Sequence, residues 1–212
     1  MTNQTYPYSL YQNGKGLNPQ YLTTLDNTVH DMLDDYTRVF ALRVELHIPD
    51  NEFINHHRLM TRFIDSLKAQ LKAHERKRSK QGTRIHPNTL RYVWAKETGT
   101  KEELEHYHML LLFNKDAYHR LGNYYVEGTL ANRIRKAWFS ALGEAVGDTL
   151  GLVPFPDNCC YYIDSNSPDY EDQLDELMYR ASYLCKRQTK VISSRVRSFG
   201  SSPHVVAKRA FS

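Results

Sequence analysis

The segment from His106 to Phe113 constrains the fold of this chain more than any other. It opens with His106-Tyr107-His108 and runs directly into the apolar residues Met109 to Phe113. A short apolar run bounded by polar segments is typical of a β-strand. Because side chains along a strand alternate with a period of 2, both imidazoles project from the same face of the sheet. The pair therefore predicts half of a divalent-metal site.

A carboxylate on the preceding strand can complete this site. The strand that ends at Glu97 is joined by a polar turn to the histidine strand, which predicts an antiparallel hairpin. Cross-strand neighbours lie about 5 Å apart at Cβ, so Glu97 can join His106 and His108 in a facial set. Two imidazoles and one carboxylate with open positions suit Mg²⁺ or Mn²⁺ that also holds a phosphate. Because Leu110 and Leu112 share the histidine face, we expect the metal at the edge of the strand.

A candidate nucleophile lies far downstream. Tyr183 and Lys186 are three residues apart in a segment predicted to be helical, so they share a face, and Tyr179 lies one turn earlier. A phenol is a poor nucleophile at its free pKa near 10, and it needs a metal to polarise the phosphate and a cation nearby. Lys186 can be that cation, as an electrostatic stabiliser or as a proton donor to the leaving oxygen. The alternative is core packing, because the chain has 15 tyrosines.

The net charge is only +4, but it is unevenly distributed. From Leu177 to Ser212 there is no Asp or Glu, and clustered cations are typical of a protein that contacts a phosphate backbone. A second basic run, Lys68 to Arg84, is interpreted as a solvated helix face. The residues predicted to contact DNA are Arg180, Arg187, Lys190, Arg195 and Arg197.

The order of predicted elements indicates an α+β fold. The predicted segments are a helix to about residue 35, a strand over 39–48, a helix over 51–80, strands over 90–97 and 106–113, a helix over 129–143, a strand over 159–163 and a helix over 170–186. The centre reads β-α-β-β-α-β, the ferredoxin-like arrangement, with helices on one face of an antiparallel sheet and the tyrosine helix near the metal site. We expect residues 1–17 to form a weakly ordered arm and residues 18–212 to form one domain with a basic tail.

The sequence also bears on the cellular location of the protein and on the state of its cysteines. No apolar stretch approaches the roughly 20 residues that span a membrane, and the polar N-terminus lacks a signal pattern. We therefore expect a cytoplasmic protein with no membrane partner. The three cysteines, Cys159, Cys160 and Cys185, fit neither a disulfide framework nor a C-x-x-C metal pair and are interpreted as free thiols.

The motifs, taken in order, resemble the HUH superfamily of single-strand DNA endonucleases, and most closely the prophage and filamentous-phage replication-protein family that includes YagK and YfjJ. The matching blocks run from about residue 38 to 202, and the first 17 residues lie outside them. The blocks are Arg43-Val44-Glu45-Leu46-His47-Ile48-Pro49, Tyr92-Val93-Trp94-Ala95-Lys96-Glu97, His106-Tyr107-His108-Met109-Leu110-Leu111-Leu112-Phe113-Asn114, Ala181-Ser182-Tyr183-Leu184-Cys185-Lys186 and Arg197-Ser198-Phe199-Gly200-Ser201-Ser202.

The resemblance implies a reaction. The metal is expected on His106 and His108 with Glu97 as third ligand, and Tyr183 is expected to attack single-stranded or hairpin-extruded DNA. The products are then a 5′-phosphotyrosyl enzyme and a free 3′-OH, and a host helicase or polymerase in a bacterial cell would act with the protein. Some members use two tyrosines, which makes Tyr179 a candidate for the second, although it lacks its own lysine three residues on.

Several functions remain open at this point. The nickase is expected to initiate rolling-circle replication of a phage, satellite or plasmid, or to nick the genome of a competing mobile element. The alternative from another class is a non-catalytic DNA-binding regulator on the same fold. A third is a metal-dependent phosphodiesterase that uses water, for which Tyr183 is dispensable.

Overall fold

A single antiparallel sheet organises the chain. The computed structural model describes residues 6–12, 14–50, 53–98, 105–143, 151–187 and 197–204. Within these residues the elements are α1 (Pro19–Asp35), β1 (Arg38–His47), α2 (Leu59–Lys80), β2 (Arg91–Thr98), β3 (Glu105–Asn114), α3 (Leu130–Leu142), β4 (Cys160–Asp164), α4 (Tyr170–Ala181), a 3₁₀ turn (Ser182–Cys185) and β5 (Phe199–Ser201). The strands lie in the order β4-β1-β3-β2-β5, and each neighbouring pair is antiparallel. The predicted α+β class is confirmed.

Helices cover both faces of the sheet. Phe40 and Leu42 of β1 belong to an apolar cluster with α2 and α3, whereas Val39 and Ala41 belong to a second cluster with α1 and α4. The prediction that helices lie on one face is therefore wrong. The physical reason is that β1 and β3 are apolar on both sides, so that each face needs a helical layer to exclude water.

The helix predicted up to residue 35 is confirmed as α1. Asn18 caps it, because its side chain accepts hydrogen bonds from the backbone N–H groups of Gln20 and Tyr21. Pro19 follows at the first helical position, where its missing N–H costs nothing. None of the helices among the described residues is both long and apolar enough to cross a bilayer.

The second helix is shorter than predicted. It begins at Leu59 rather than near Asn51. The Asn55 side chain accepts a hydrogen bond of 2.8 Å from the backbone of His57, an alternative to helical bonding that Asn side chains commonly offer. Phe53, which lies within the predicted helix but before the observed one, is 76% exposed.

The helix predicted over 170–186 changes character before its end. α4 stops at Ala181, and Tyr183 lies on the 3₁₀ turn. The Ser182 hydroxyl donates to the carbonyl of Tyr179 at 3.0 Å and accepts from the backbone of Tyr11 at 2.8 Å. These local bonds compete with continued α-helical bonding and tighten the chain where the candidate nucleophile lies.

Residues 6–12 lie against α1 and α4. The hydroxyl of Tyr8 donates to Asp26 of α1, and the backbone N–H of Ser9 donates to Asp175 of α4 at 2.5 Å. The described part of the predicted arm is thus attached to the helical layer that carries the 3₁₀ turn.

The short strand β5 extends the sheet beside β2. Gly200 pairs with Trp94, and a Cβ added at Gly200 would lie 2.7 Å from the Trp94 ring. Phe199 stacks on Tyr21 of α1 with 4.1 Å between ring centroids. The Arg197 to Ser202 block therefore pairs with the outer edge of β2, the strand that carries Glu97.

Candidate metal centre and tyrosine site

The candidate ligands meet at the end of the β2–β3 hairpin. Glu97 is the direct cross-strand partner of His106, as predicted. His106 and His108 lie on the same face as Leu110, which is fully buried in the α1/α4 cluster. The alternation of a strand thus places the imidazoles at the edge of this face and the leucines in its core, which confirms that part of the prediction.

The distances among these side chains fit a single ion. The Nε2 atoms of His106 and His108 are 3.1 Å apart, and Nε2 of His108 lies 3.4 Å from Oε2 of Glu97. Among the described residues, these three form a group whose ligand atoms all lie within 4.8 Å of one another. Ligand atoms at right angles around one Mg²⁺ at ~2.1 Å are themselves about 3 Å apart. The donor set therefore fits a divalent metal.

Glu97 is buried, with 3% of its surface exposed. Burial disfavours its carboxylate, but hydrogen bonds from His108 and Lys186 outweigh burial and lower the pKa of Glu97. Its second oxygen, Oε1, has no hydrogen-bond partner among the described residues. A buried carboxylate oxygen without a partner is costly, and coordination of a cation removes that cost.

Two neighbouring residues of β1 complete the cluster. Oε1 of Glu45 lies 3.2 Å from Nδ1 of His108, and Oε2 lies 3.4 Å from Nε2 of His47. The hydrogen bonds with His108 and His47 lower the pKa of Glu45. Sequence reasoning missed Glu45. Glu45 could have been found from the alternation of Arg43, Glu45 and His47. Residues two apart on a strand have side chains on the same face, and these three are polar.

Glu45 orients the imidazole of His108. A carboxylate on Nδ1 leaves Nε2 to face Glu97 and His106, the arrangement that commonly orients metal-binding histidines. Burial disfavours the imidazolium of His108, but hydrogen bonds with Glu45 and Glu97 outweigh burial and raise its pKa. His108 is thus held between two carboxylates.

Tyr183 and Lys186 lie directly beside the metal ligands. The Tyr183 ring meets the ring of His108 edge-on, with centroids 5.2 Å apart. The Lys186 ammonium donates to the Tyr183 hydroxyl and lies 2.7 Å from Oε2 of Glu97. Burial lowers the pKa of Lys186, but the bonds with Glu97 and Tyr183 outweigh it and raise the pKa. One cation therefore links the candidate nucleophile to a candidate metal ligand.

A small cleft opens next to Tyr183. Arg43 and Arg180 line it together with Glu45, His108 and Tyr183. Guanidinium groups are suitable partners for phosphate oxygens, and two arginines therefore line the same cleft as the candidate nucleophile. Arg180 was among the predicted DNA contacts, whereas Arg43 was not.

Tyr179 has different surroundings from Tyr183. Its ring is 38% exposed and lies 5.7 Å from the guanidinium of Arg180 and 6.5 Å from the ring of Tyr11. Tyr11 also meets Tyr183 edge-on, at 5.1 Å between centroids. Of the two candidate nucleophiles, Tyr183 is the tyrosine that contacts Lys186 and His108.

The remaining predicted DNA contacts are dispersed. The Arg187 side chain donates to the carbonyl of Leu17 at 3.1 Å, which ties the end of the 3₁₀ turn to the start of α1. Arg197 is exposed just before β5. Lys190 and Arg195 lie outside the described residues.

The fold and site together define an α+β protein with a His/His/Glu group that could hold a metal ion, beside a Tyr–Lys pair. The chain belongs to the YagK/YfjJ C-terminal domain family, whose model matches residues 1–202 and so includes the first 17 residues. It is 37% identical to YagK of Escherichia coli K12 over 192 residues, covering 86% of this chain and 92% of YagK. It is 34% identical to YfjJ of the same strain over 194 residues, covering 86% of this chain and 93% of YfjJ. Both relatives carry the name "uncharacterized protein", and no solved structure matches.

Proposed function

We propose that this protein is a site-specific, metal-dependent DNA nickase that acts through Tyr183. The observation that carries the proposal is the position of the Lys186 ammonium, in contact with both the Tyr183 hydroxyl and the buried carboxylate of Glu97. A tyrosine that only packs in a core does not need a buried cation and a metal-ligand group around its hydroxyl. The arrangement matches the requirements of nucleophilic attack by a phenol.

The metal in this proposal is Mg²⁺ or Mn²⁺, held by Glu97, His106 and His108. When bound, it polarises the phosphodiester and neutralises charge that develops on it. Glu45 orients His108 through Nδ1, and the unpartnered Oε1 of Glu97 is available as a ligand atom.

In the proposed reaction a phosphoryl group passes from the 3′ oxygen of the DNA to Tyr183. The Tyr183 oxygen bonds to phosphorus and loses its proton, the bond between phosphorus and the 3′ oxygen breaks, and the 3′ oxygen takes up a proton and leaves as a free hydroxyl. The proton that the phenol loses replaces the one that the leaving oxygen gains, so the step is balanced. Lys186 stabilises the negative charge that develops, or donates the proton to the leaving oxygen. Arg43 and Arg180 bind the phosphate oxygens beside the tyrosine. Reversal of the step religates the strand without ATP.

The strand order β4-β1-β3-β2-β5 is consistent with the same proposal. We propose that its first four strands form a ferredoxin-like arrangement, to which β5 is added at one edge. We propose that the substrate is single-stranded or extruded DNA, with Arg187, Lys190, Arg195 and Arg197 along its path. In a bacterial cell the free 3′-OH would prime rolling-circle replication of a phage, satellite or plasmid with a host helicase or polymerase, or the nick would disable a competing genome.

The decisive experiment is a nicking assay on supercoiled plasmids that carry a library of candidate origins. Wild type and Tyr183→Phe are compared with Mn²⁺, with Mg²⁺ and with EDTA, and Tyr162→Phe, on exposed β4, is the matched control. We expect open-circular DNA with covalently attached protein for wild type and the control, and neither for Tyr183→Phe, because only the attacking hydroxyl is lost.

Other outcomes assign other functions. Nicks without attached protein that Tyr183→Phe still makes would point to water as the nucleophile. Sequence-specific binding without nicking of any origin in the library would favour the DNA-binding regulator.

A further inference from the structure

A basic groove lies between α2, the segment 117–129 and the first turns of α3. It consists of two adjoining hollows of about 210 and 410 Å³, both bordered by His74, Gly128 and Arg133. Their linings contain five Lys or Arg residues against a single carboxylate, that of Glu127. The five cations are Lys77, Arg78, Arg120, Arg133 and Lys136.

The basic groove is separate from the Tyr183 site. α2 and α3 pack on the sheet face that carries Phe40 and Leu42, whereas His106 and His108 lie on the opposite face, with Leu110. Neither the proposed metal centre nor the transfer reaction uses the cations of this groove.

Positive charge in the groove is poorly neutralised. The Arg133 guanidinium donates to the carbonyl of Gly128 and to Nδ1 of His74, each at 2.8 Å, and both of these acceptors are neutral. Burial and the neighbouring cations Arg133, Arg78 and Lys77 lower the pKa of His74. Glu127 is exposed and pairs with Lys136 at 2.8 Å, a contact that water screens. An external anion would meet a net positive surface.

The charge of the groove favours a polyanion. Clustered Lys and Arg side chains on one face of a protein are typical of a nucleic-acid surface. The segment 117–129 that borders the groove also carries two exposed side chains, Tyr125 and Val126, which are 71% and 53% exposed.

We propose that the basic groove binds the phosphate backbone of duplex DNA. The five cations of the groove bind the phosphates. The choice of DNA among polyanions rests on the proposed function, since a nickase that cuts one strand also meets the duplex beside its target. The groove would hold that duplex independently of the metal centre.

The test compares two variants of equal charge. One is Lys77→Gln/Arg120→Gln/Lys136→Gln, which alters exposed cations of the groove, and the control is Lys72→Gln/Arg76→Gln/Lys80→Gln, exposed positions of α2 outside its lining. Fluorescence anisotropy measures binding of a labelled 20-bp duplex in EDTA across a salt series.

We expect the groove variant to raise Kd about tenfold or more, and to reduce the slope of log K against log salt by about 2 to 3, since each lost phosphate contact removes about 0.9. The control should stay within about twofold of wild type. Equal losses in both variants, no duplex binding by wild type, or a preference for an RNA duplex of the same sequence would each overturn the proposal.

The two proposals fail separately. Groove-dependent duplex binding by a wild type that nicks no DNA would sink the nickase and leave the groove in place. If both variants nick a single-stranded oligonucleotide and bind the duplex as tightly as wild type does, the groove proposal is refuted and the nickase stands.

Discussion

Replacing Glu97 by Gln should destabilise the metal-free protein strongly. Glu97 is 3% exposed and Lys186 is 8% exposed, and their charged atoms are 2.7 Å apart. Glutamine keeps the volume and one acceptor but removes the charge, so the Lys186 ammonium stays buried without a counter-ion. Breaking a buried pair from one side costs about 3–5 kcal/mol. Because Gln still accepts a hydrogen bond, we expect about 3 kcal/mol.

The assay is thermal unfolding in EDTA, followed by circular dichroism. For a chain of 212 residues, a loss of about 3 kcal/mol lowers Tm by roughly 6–12 °C. Adding Lys186→Met to Glu97→Gln should restore most of the loss, because the uncompensated charge is then also gone.

A control lies at another ion pair of the sheet. Asp116 pairs with Arg38, and their side chains are 31% and 48% exposed. Because solvent screens this pair, Asp116→Asn should cost less than about 1 kcal/mol. If Glu97→Gln costs no more than Asp116→Asn, or if the double variant is less stable than Glu97→Gln, the reasoning from the buried ion pair is refuted.

The pH dependence has a definite sign. The pKa of Glu97 is lowered in the folded protein from its usual value near 4.5. Its stabilisation is therefore fully present above pH 4.5 and is lost as pH falls through the folded pKa. Wild type and Glu97→Gln should converge in stability on acidification below that value.

Three further predictions follow from the geometry. Gly200→Ala should cost about 1–3 kcal/mol, measured by thermal unfolding, because the new methyl group would lie 2.7 Å from the Trp94 ring. Mn²⁺ affinity, measured by calorimetry, should rise from pH 6 to pH 8, since the pKa of His108 is raised above its usual value and a protonated imidazole cannot bind a metal. Tyr8→Phe should cost about 1 kcal/mol near neutral pH, because it removes a hydrogen bond to the Asp26 carboxylate. Burial raises the pKa of Asp26, but bonds from His30 and Tyr8 lower it overall, so this loss should shrink as the carboxyl protonates in acid.

Each of these has a control. Gly14→Ala, at a position with no atom within 4 Å of the added Cβ, should leave stability unchanged, and an equal loss there would contradict the packing argument. His108→Ala should weaken Mn²⁺ binding and reduce its pH dependence, and unchanged Mn²⁺ affinity would contradict the ligand assignment. Tyr162→Phe, at an exposed ring, should be neutral, and a loss equal to that of Tyr8→Phe would count against the arm contact.

Much of the candidate site was predictable from local sequence. The two-residue spacing of His106 and His108 determines their common face, because strand alternation is a property of the backbone. The short polar connection sets the register of the hairpin, which makes Glu97 the partner of His106. The three-residue spacing of Tyr183 and Lys186 brings their polar atoms together even though the segment is a 3₁₀ turn rather than an α-helix.

Other features depend on contacts between distant segments. The contact of Glu45 with His108 requires β1 to pair with β3 across more than sixty residues of sequence. The start of α2 is decided by hydrogen bonds around Asn55, and the second helical layer by the burial of both faces of β1. Propensity acts over a few residues, whereas these outcomes depend on which surfaces must be buried together.

By itself, the sequence determined the class of fold, the spacing of the candidate ligands and the Tyr–Lys pair. The tertiary structure decided where these meet: Lys186 joins Tyr183 to Glu97, Glu45 orients His108, and cations of α2 and α3 line one groove. The physical reason is that periodicity and turn length act along the chain, whereas burial and charge act between segments that only folding brings together.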